Sequence, residues 1–338
     1  MVPGDRRYRL GPLLGRGASA EVYRARRGDL GIDVAVKVLR AGVSGEALAR
    51  LRDEARILAQ LDHPGIVRLV DLVSLEGRPA LVTDLVDGLD AHAIAPLPPR
   101  AALDVVAAVA DALQRAHQRG LVHRDVKPTN IRVGRFGQVR LLDFGIAWAR
   151  DREARTASDV IVGSAPYLAP ERLDEGTPGP SCDVFALGCL LFELVTGRSL
   201  FEVRSYALHA ARLSGQAWVD SHVEKACAPL SIPIRALTMS TLAFSPQDRP
   251  SAGRVAELAE GMNASGATLR AWARTFPWPE PSATGPLSGQ VLVATPLVDL
   301  TPSMEPTLED ASQVATHLRL ARPAPAARLD AEDTHSDD

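Results

Sequence analysis

The chain has 338 residues, 46% hydrophobic and 23% charged, with a formal net charge of −3. That is an ordinary globular balance, long enough for two lobes or domains. A charge so near zero excludes the broad basic field that draws nucleic acid or an anionic membrane surface. Cys182, Cys189 and Cys227 show neither metal-type spacing nor even pairing, which excludes a disulfide scaffold and predicts buried thiols in a reducing compartment. The start, Met1 to Arg6, lacks the apolar core of a signal peptide. The greasiest run, Cys189 to Val195, is too short to span a bilayer. A cytoplasmic protein without a membrane anchor is expected.

In chain order, residues from about 8 to 90 read mostly as strand. The apolar or β-branched runs Val22–Ala25, Val34–Leu39, Ile66–Val70 and Leu81–Thr83 are separated by turns. One helix interrupts them, from about Ser44 to Leu61, because Leu48, Leu51, Ala55, Leu58 and Leu61 recur at helical spacing. Residues from about 100 to 261 are predicted mainly helical. Gly120 ends the helix begun at Ala101, and Gly197 ends the one begun at Asp183. Leu269, Trp272 and Phe276 suggest one further helix over Gly266–Phe276. Nine prolines between Pro277 and Pro325, then an acidic end, predict a largely disordered tail.

Four motifs carry the chemistry. Gly15-Arg16-Gly17-Ala18-Ser19-Ala20-Glu21-Val22 is a glycine-containing turn between two strands, able to present backbone N–H groups to phosphates. Lys37 sits on the otherwise apolar run Val34–Leu39, and Glu54 shares the buried stripe of the helix that follows. A carboxylate there is costly unless paired. The run His123-Arg124-Asp125-Val126-Lys127-Pro128-Thr129-Asn130 is followed by Asp143-Phe144-Gly145. Further on come Gly163-Ser164-Ala165-Pro166-Tyr167-Leu168-Ala169-Pro170-Glu171 and Asp248-Arg249-Pro250.

The order and spacing of these motifs resemble the serine/threonine protein kinase family, in its bacterial, eukaryotic-like branch. The resemblance implies an α+β, bilobal fold with a small β-rich N-lobe (8–86) and a larger helical C-lobe (87–262), followed by an extension over 263–338. It implies ATP and Mg²⁺ (or Mn²⁺) in the cleft between the lobes. Leu14, Gly15, Gly17, Val22 and Ala35 would cover the nucleotide, and Lys37, held by Glu54, would position its phosphates. Backbone groups near Asp84 and Val86 would meet adenine, with Thr83 guarding the back of the pocket. Asp125 would orient the substrate hydroxyl and take its proton, Lys127 would steady the γ-phosphoryl group, and Asn130 and Asp143 would hold the metal. His123 is expected to pack beneath Asp143-Phe144, Glu171 to pair with Arg249, and Asp183 both to cap its helix and to hold the catalytic-loop backbone. Ala20 departs from the family's third glycine, and the proline-rich Ala95–Pro99 departs from its usual short helix.

Regulation is expected along the segment from Asp143 to Glu171. Thr156 and Ser158 are candidate phosphorylation sites, Arg124 is the group that would receive the phosphate, and Ser164 is a hydroxyl able to bridge Asp125 and Lys127. Protein substrates carrying Ser or Thr are the expected partners. Thr295, Thr301 and Thr307 are candidate tail sites for a phosphothreonine-binding partner, although for Thr307 a cap of a short helix through His317-Leu318 is the favoured reading. Deleting 280–338 is expected to leave catalysis intact. Two alternatives stand beside the enzyme: a pseudokinase scaffold, disfavoured because Lys37, Glu54, Asp125, Asn130 and Asp143 are all present, and a small-molecule kinase, disfavoured by the region Gly163–Glu171.

Overall fold

Alternating apolar and polar residues make strands of the N-terminal part, as the 2.0-residue side-chain period requires. In the computed structural model, β1 (Arg6–Arg16), β2 (Ala20–Arg27) and β3 (Ile32–Leu39) form an antiparallel meander. The hairpin of β4 (Leu69–Leu75) and β5 (Arg78–Asp84) joins it through β5 against β3. The structure describes residues 6–17, 19–42, 44–144, 165–172, 179–201, 215–262, 268–279 and 291–296. All belong to one compact unit, Met1–Val298, and the remaining unit, Asp299–Asp338, lies outside the described residues.

The fourth strand differs from its expected place. It begins at Leu69, and Ile66 makes only an isolated parallel bridge to Leu141. The cause is local: the Ile66 amide closes a turn on His63 O at 3.0 Å, and the Val67 amide then bonds Leu141 O. That short stretch ties the small lobe to the large one instead of extending the sheet.

A sixth strand comes from far along the sequence. β9 (Val291–Pro296) lies antiparallel between β1 and β4, and the sheet closes into a barrel in the order β1-β2-β3-β5-β4-β9. Leu292 and Ala294 are buried with Tyr8, Val73 and Leu75 in the lobe's core. The tail expected to be largely disordered beyond Pro277 thus holds at least this one strand. The prolines around the segment hid a short continuous apolar run, Val291-Leu292-Val293-Ala294, of which Leu292 and Ala294 turn into the core.

Helix α1 (Gly45–Gln60) packs on this sheet through Ala47, Leu51, Ala55 and Leu58. A second, three-stranded sheet of β6 (Gly88–Asp90), β7 (Ile131–Gly134) and β8 (Val139–Leu141) begins the large lobe. Between β6 and β7 run the short α2 (Ala91–Ile94) and the long α3 (Pro99–His117), so a short helix does precede the prolines. Helix α4 (Pro180–Thr196) is buried on every side from Cys182 to Leu194, the mark of a core helix. Around it stand α5 (Gln216–Cys227), α6 (Ile232–Thr241) and α7 (Ala252–Met262). Gly188 allows α4 and α6 to cross closely, since a Cβ there would collide with Thr241 and Leu242. Gly197 ends α4 in the left-handed conformation, φ 70°, as expected of its position.

Helix α8 (Thr268–Thr275) fulfils the expectation of one further helix. Leu269 and Ala273 are buried, the Leu269 amide donates to Asp104 of α3 at 2.7 Å, and Arg135 donates to Pro279 O. Trp272, Phe276 and Trp278 stack around the end of the helix, with ring centroids 4.7 to 6.0 Å apart.

Candidate active site

A cleft of about 260 Å³ lies between the lobes. Leu14, Gly15, Val22 and Ala35 form its roof, and Lys37 and Glu54 stand at its inner end. Thr83, Asp84 and Val86 line the connector side, and Asp143 closes the floor with Leu142. The Asp84 amide is committed to Arg68 O at 3.0 Å. Gly17 is not part of the cleft wall; its amide donates to Ala20 O at 2.8 Å and closes the turn.

β3 presents Lys37 and α1 presents Glu54, and the two meet at 3.0 and 3.2 Å. The same ammonium bonds Asp143 Oδ1 at 3.0 Å, so one cation stands between two carboxylates. Burial would lower the Lys37 pKa, but the Asp143 and Glu54 charges outweigh it and hold the amine protonated. Asp143 is held below the usual carboxylate range, chiefly by Lys37. Glu54 goes the other way. Burial, reinforced by the neighbouring Asp143, pushes it up to about 7 against the pull of Lys37. Three charges in one corner thus divide unequally.

The loop before β7 supplies the second cluster. Lys127 Nζ lies 2.8 Å from Asp125 Oδ2, and Asn130 Nδ2 donates to both the carbonyl and the carboxylate of Asp125 at 2.9 Å. Asn130 therefore spends its amide N–H groups on Asp125 and keeps its amide oxygen. Together with the Asp143 carboxylate this makes a pair of hard oxygen donors suited to a divalent cation. Among the described residues no group of three or more His, Cys, Asp or Glu could hold a metal, so a cation here would take its other ligands from phosphate oxygens and water.

The loop is fixed from below. Arg124 has φ 69° and Asp143 φ 43°, conformations a side chain adopts only when its surroundings enforce them. Asp183 does so for Arg124, accepting the His123 amide at 2.8 Å, the Arg124 amide at 2.7 Å and the His117 ring at 2.8 Å. Asp183 is not a helix cap, since α4 starts at Pro180 and makes no side-chain cap bond. The His123 ring lies 4.7 Å from that of Phe144, and its Nε2 bonds Leu142 O at 2.9 Å. Arg249, its side chain fully buried, meets Glu171 in a bidentate pair at 2.7 and 2.9 Å, as the motif spacing predicts.

Thr156, Ser158 and Ser164 lie outside the described residues. Arg124 does not: among the described residues its buried Nε has no hydrogen-bond partner. Arg172, which sequence reasoning passed over, donates to Arg124 O. Also missed was Glu193, buried in α4, which accepts from Tyr167 at 2.6 Å and meets His92 at 2.8 Å. A carboxylate inside an otherwise apolar helical run was the available signal. Asp90, Thr129 and Arg132 complete the cleft floor.

Two lobes with a lysine-lined cleft, and a rigid loop carrying Asp125 at its mouth, define a protein kinase domain. Residues 8–259 match the family model described as protein kinase domain, and the chain belongs to that family. It is similar to the serine/threonine-protein kinase PknB of Mycobacterium leprae, at 40% identity over 58% of this chain and 33% of that protein. It also resembles a probable serine/threonine-protein kinase of Streptomyces coelicolor, SCO3848, at 40% identity over 58% of this chain and 31% of the relative. A third, CE0033 of Corynebacterium efficiens, is 35% identical over 72% of this chain and 39% of its own length. The matches thus span about a third of these relatives. Residues 8–259 form a serine/threonine protein kinase domain of the bacterial, eukaryotic-like kind, a family that uses ATP and a divalent metal. No helix of the described residues is long and apolar enough to cross a membrane.

Proposed function

We propose that the chain transfers the γ-phosphoryl group of ATP to serine and threonine hydroxyls of proteins, its own among them. The observation that carries this is the pairing of two clusters, Lys37 between Glu54 and Asp143, and Asp125 between Lys127 and Asn130. Asp125 orients the acceptor hydroxyl and takes its proton as the oxygen bonds to phosphorus and the bond to the bridging oxygen of ADP breaks. Lys127 steadies the γ-phosphoryl oxygens, and Lys37, positioned by Glu54, holds the phosphates nearer the base. Leu14, Gly15, Val22 and Ala35 cover the nucleotide, Gly17 shapes the turn above it, and the backbone of Asp84 and Val86 meets adenine. Mg²⁺ or Mn²⁺, held by Asn130 and Asp143, neutralises phosphate charge when bound.

Arg124, with its unpaired Nε, receives a phosphate on Thr156 or Ser158, and Ser164 serves as a substrate-loop hydroxyl. Thr295, exposed on β9, and Thr301 and Thr307 beyond it, supply sites for a phosphothreonine-binding partner. Three free, buried cysteines suit a cytoplasmic setting. The test is transfer from γ-labelled ATP, with divalent metal, to a Ser/Thr peptide and to the chain itself. Binding of ATP without transfer would show a scaffold, and transfer only to small molecules would overturn the protein-substrate reading.

A further inference from the structure

Arg132 stands on β7 between Ile131 and Val133, both buried. Strand alternation turns it to the opposite face, where it lines the cleft floor beside Val86 and Leu142. Its cross-strand neighbours are Asp90 on β6 and Arg140 on β8. Burial holds its pKa below the usual arginine value, with the Asp90 and Asp87 charges opposing. Among the described residues its guanidinium has no hydrogen-bond partner, and the neighbouring Asp90 and Asp87 act on it through their charges alone. A planar cation left in a partly dry wall is costly unless a ligand completes its surroundings.

The position says which part of a ligand that is. Lys37 and Asp143 hold the inner end of the cleft, whereas Arg132 lies at the connector end with Val86 and Asp90. Val22 and Ala35 face it from the roof. We propose that the Arg132 guanidinium is the surface on which the purine ring of the nucleotide lies, stacked face to face, with Asp90 balancing its charge. A guanidinium is flat, weakly hydrated and attracted to aromatic faces, so it stacks where an ammonium does not. The base would then sit between an aliphatic roof and a cationic floor. This rests on the nucleotide-binding reading above.

The experiment is competition binding of ATP, adenosine, adenine and inorganic tripolyphosphate to the full chain, wild type against Arg132→Leu, Arg132→Gln and Arg132→Lys. Stacking predicts that Arg132→Leu and Arg132→Gln weaken ATP, adenosine and adenine alike, by about 5-fold, the scale of a partly exposed cation–π contact. Tripolyphosphate binding stays unchanged. Arg132→Lys, which keeps the charge and loses the plane, recovers only a minor part. Nucleotide-free melting identifies variants that fold, and Arg132→Gln stands in if Arg132→Leu does not. Unchanged adenine affinity, a loss confined to tripolyphosphate or to adenosine, or full recovery by lysine would each overturn the proposal. A wild type that binds adenine compounds without transferring phosphate fails the kinase reading alone; one that binds none of them overturns both.

Discussion

At the residue scale, the polar corner of the cleft makes predictions of different kinds. Asp125→Asn keeps the bonds from Asn130 approximately in place but removes the proton acceptor, and Lys37→Met removes the phosphate contact with little loss of volume. Both should lower autophosphorylation by about a hundredfold or more with a normal melting curve. Activity within a hundredth of wild type would reject these roles. Glu54 gives a pH signature. Folded, it keeps its proton up to about pH 7, whereas an exposed glutamate loses its proton near about 4.3. Between those values the folded state binds the extra proton, so stability falls as pH rises through the window and levels above it. Glu54→Gln never ionises and lacks this slope. The melting temperature of wild type minus variant, without nucleotide, should therefore decline from about pH 4.5 to 7.5. A flat difference would refute the raised pKa.

These residues were legible because the chemistry demands particular side chains at fixed spacing, and the spacing survives in the linear sequence. Glu54 was readable as a carboxylate on an apolar stripe that needed Lys37, and the two meet at 3.0 Å. Glu171 and Arg249 were readable in the same way. Arg132 was not, because an arginine between Ile131 and Val133 looks like the solvated face of any strand. Only the cleft around it makes it unusual. Asp183 was half legible: its hold on the loop followed from its place in the motif order, but its supposed cap failed because Pro180 already starts the helix.

At the scale of elements, β9 is the instructive case. The proline count outweighed a short apolar run, Val291 to Ala294, and composition averages cannot see one short strand that finds two waiting edges. Leu292 is 2% exposed inside the small lobe. Leu292→Ala should cost about 3 kcal/mol of stability, and Leu292→Asp more, because a carboxylate would enter that core unpaired. Thr295→Ala, on the outward face of the same strand, should cost little, since surface changes stay within about 0.5 kcal/mol. Equal, small effects from all three, read by denaturant melts, would mean that the strand is not seated. Helix α8 was easier to foresee, because Leu269, Trp272 and Phe276 repeat at the helical period without a partner strand to supply.

At the scale of the whole molecule, the extension is fastened to both lobes, by α8 to the large one and by β9 to the small one. The expectation that removing residues 280–338 leaves catalysis intact is therefore replaced. Ending the chain at 279 should lower thermal stability and weaken ATP binding, since the roof residues Leu14 and Val22 belong to the strands that β9 helps to hold. Ending it at 298 should do neither. Indistinguishable melting and ATP affinity in the two truncations would show that the small lobe stands on five strands.

The barrel's closure also has a history within each molecule. Tyr8 leaves the ribosome long before its partner Leu292. Until residues 291–296 emerge, β1 and β4 each carry an open edge, the kind of surface on which unfinished chains aggregate or recruit chaperones. A kinase domain built this way cannot mature domain-first while the rest is still being made. Its small lobe is finished only after every described helix of the large lobe has been translated. In nascent chains arrested at graded lengths, β1 should resist protease only once the codons past 296 have been read and that stretch has cleared the exit tunnel.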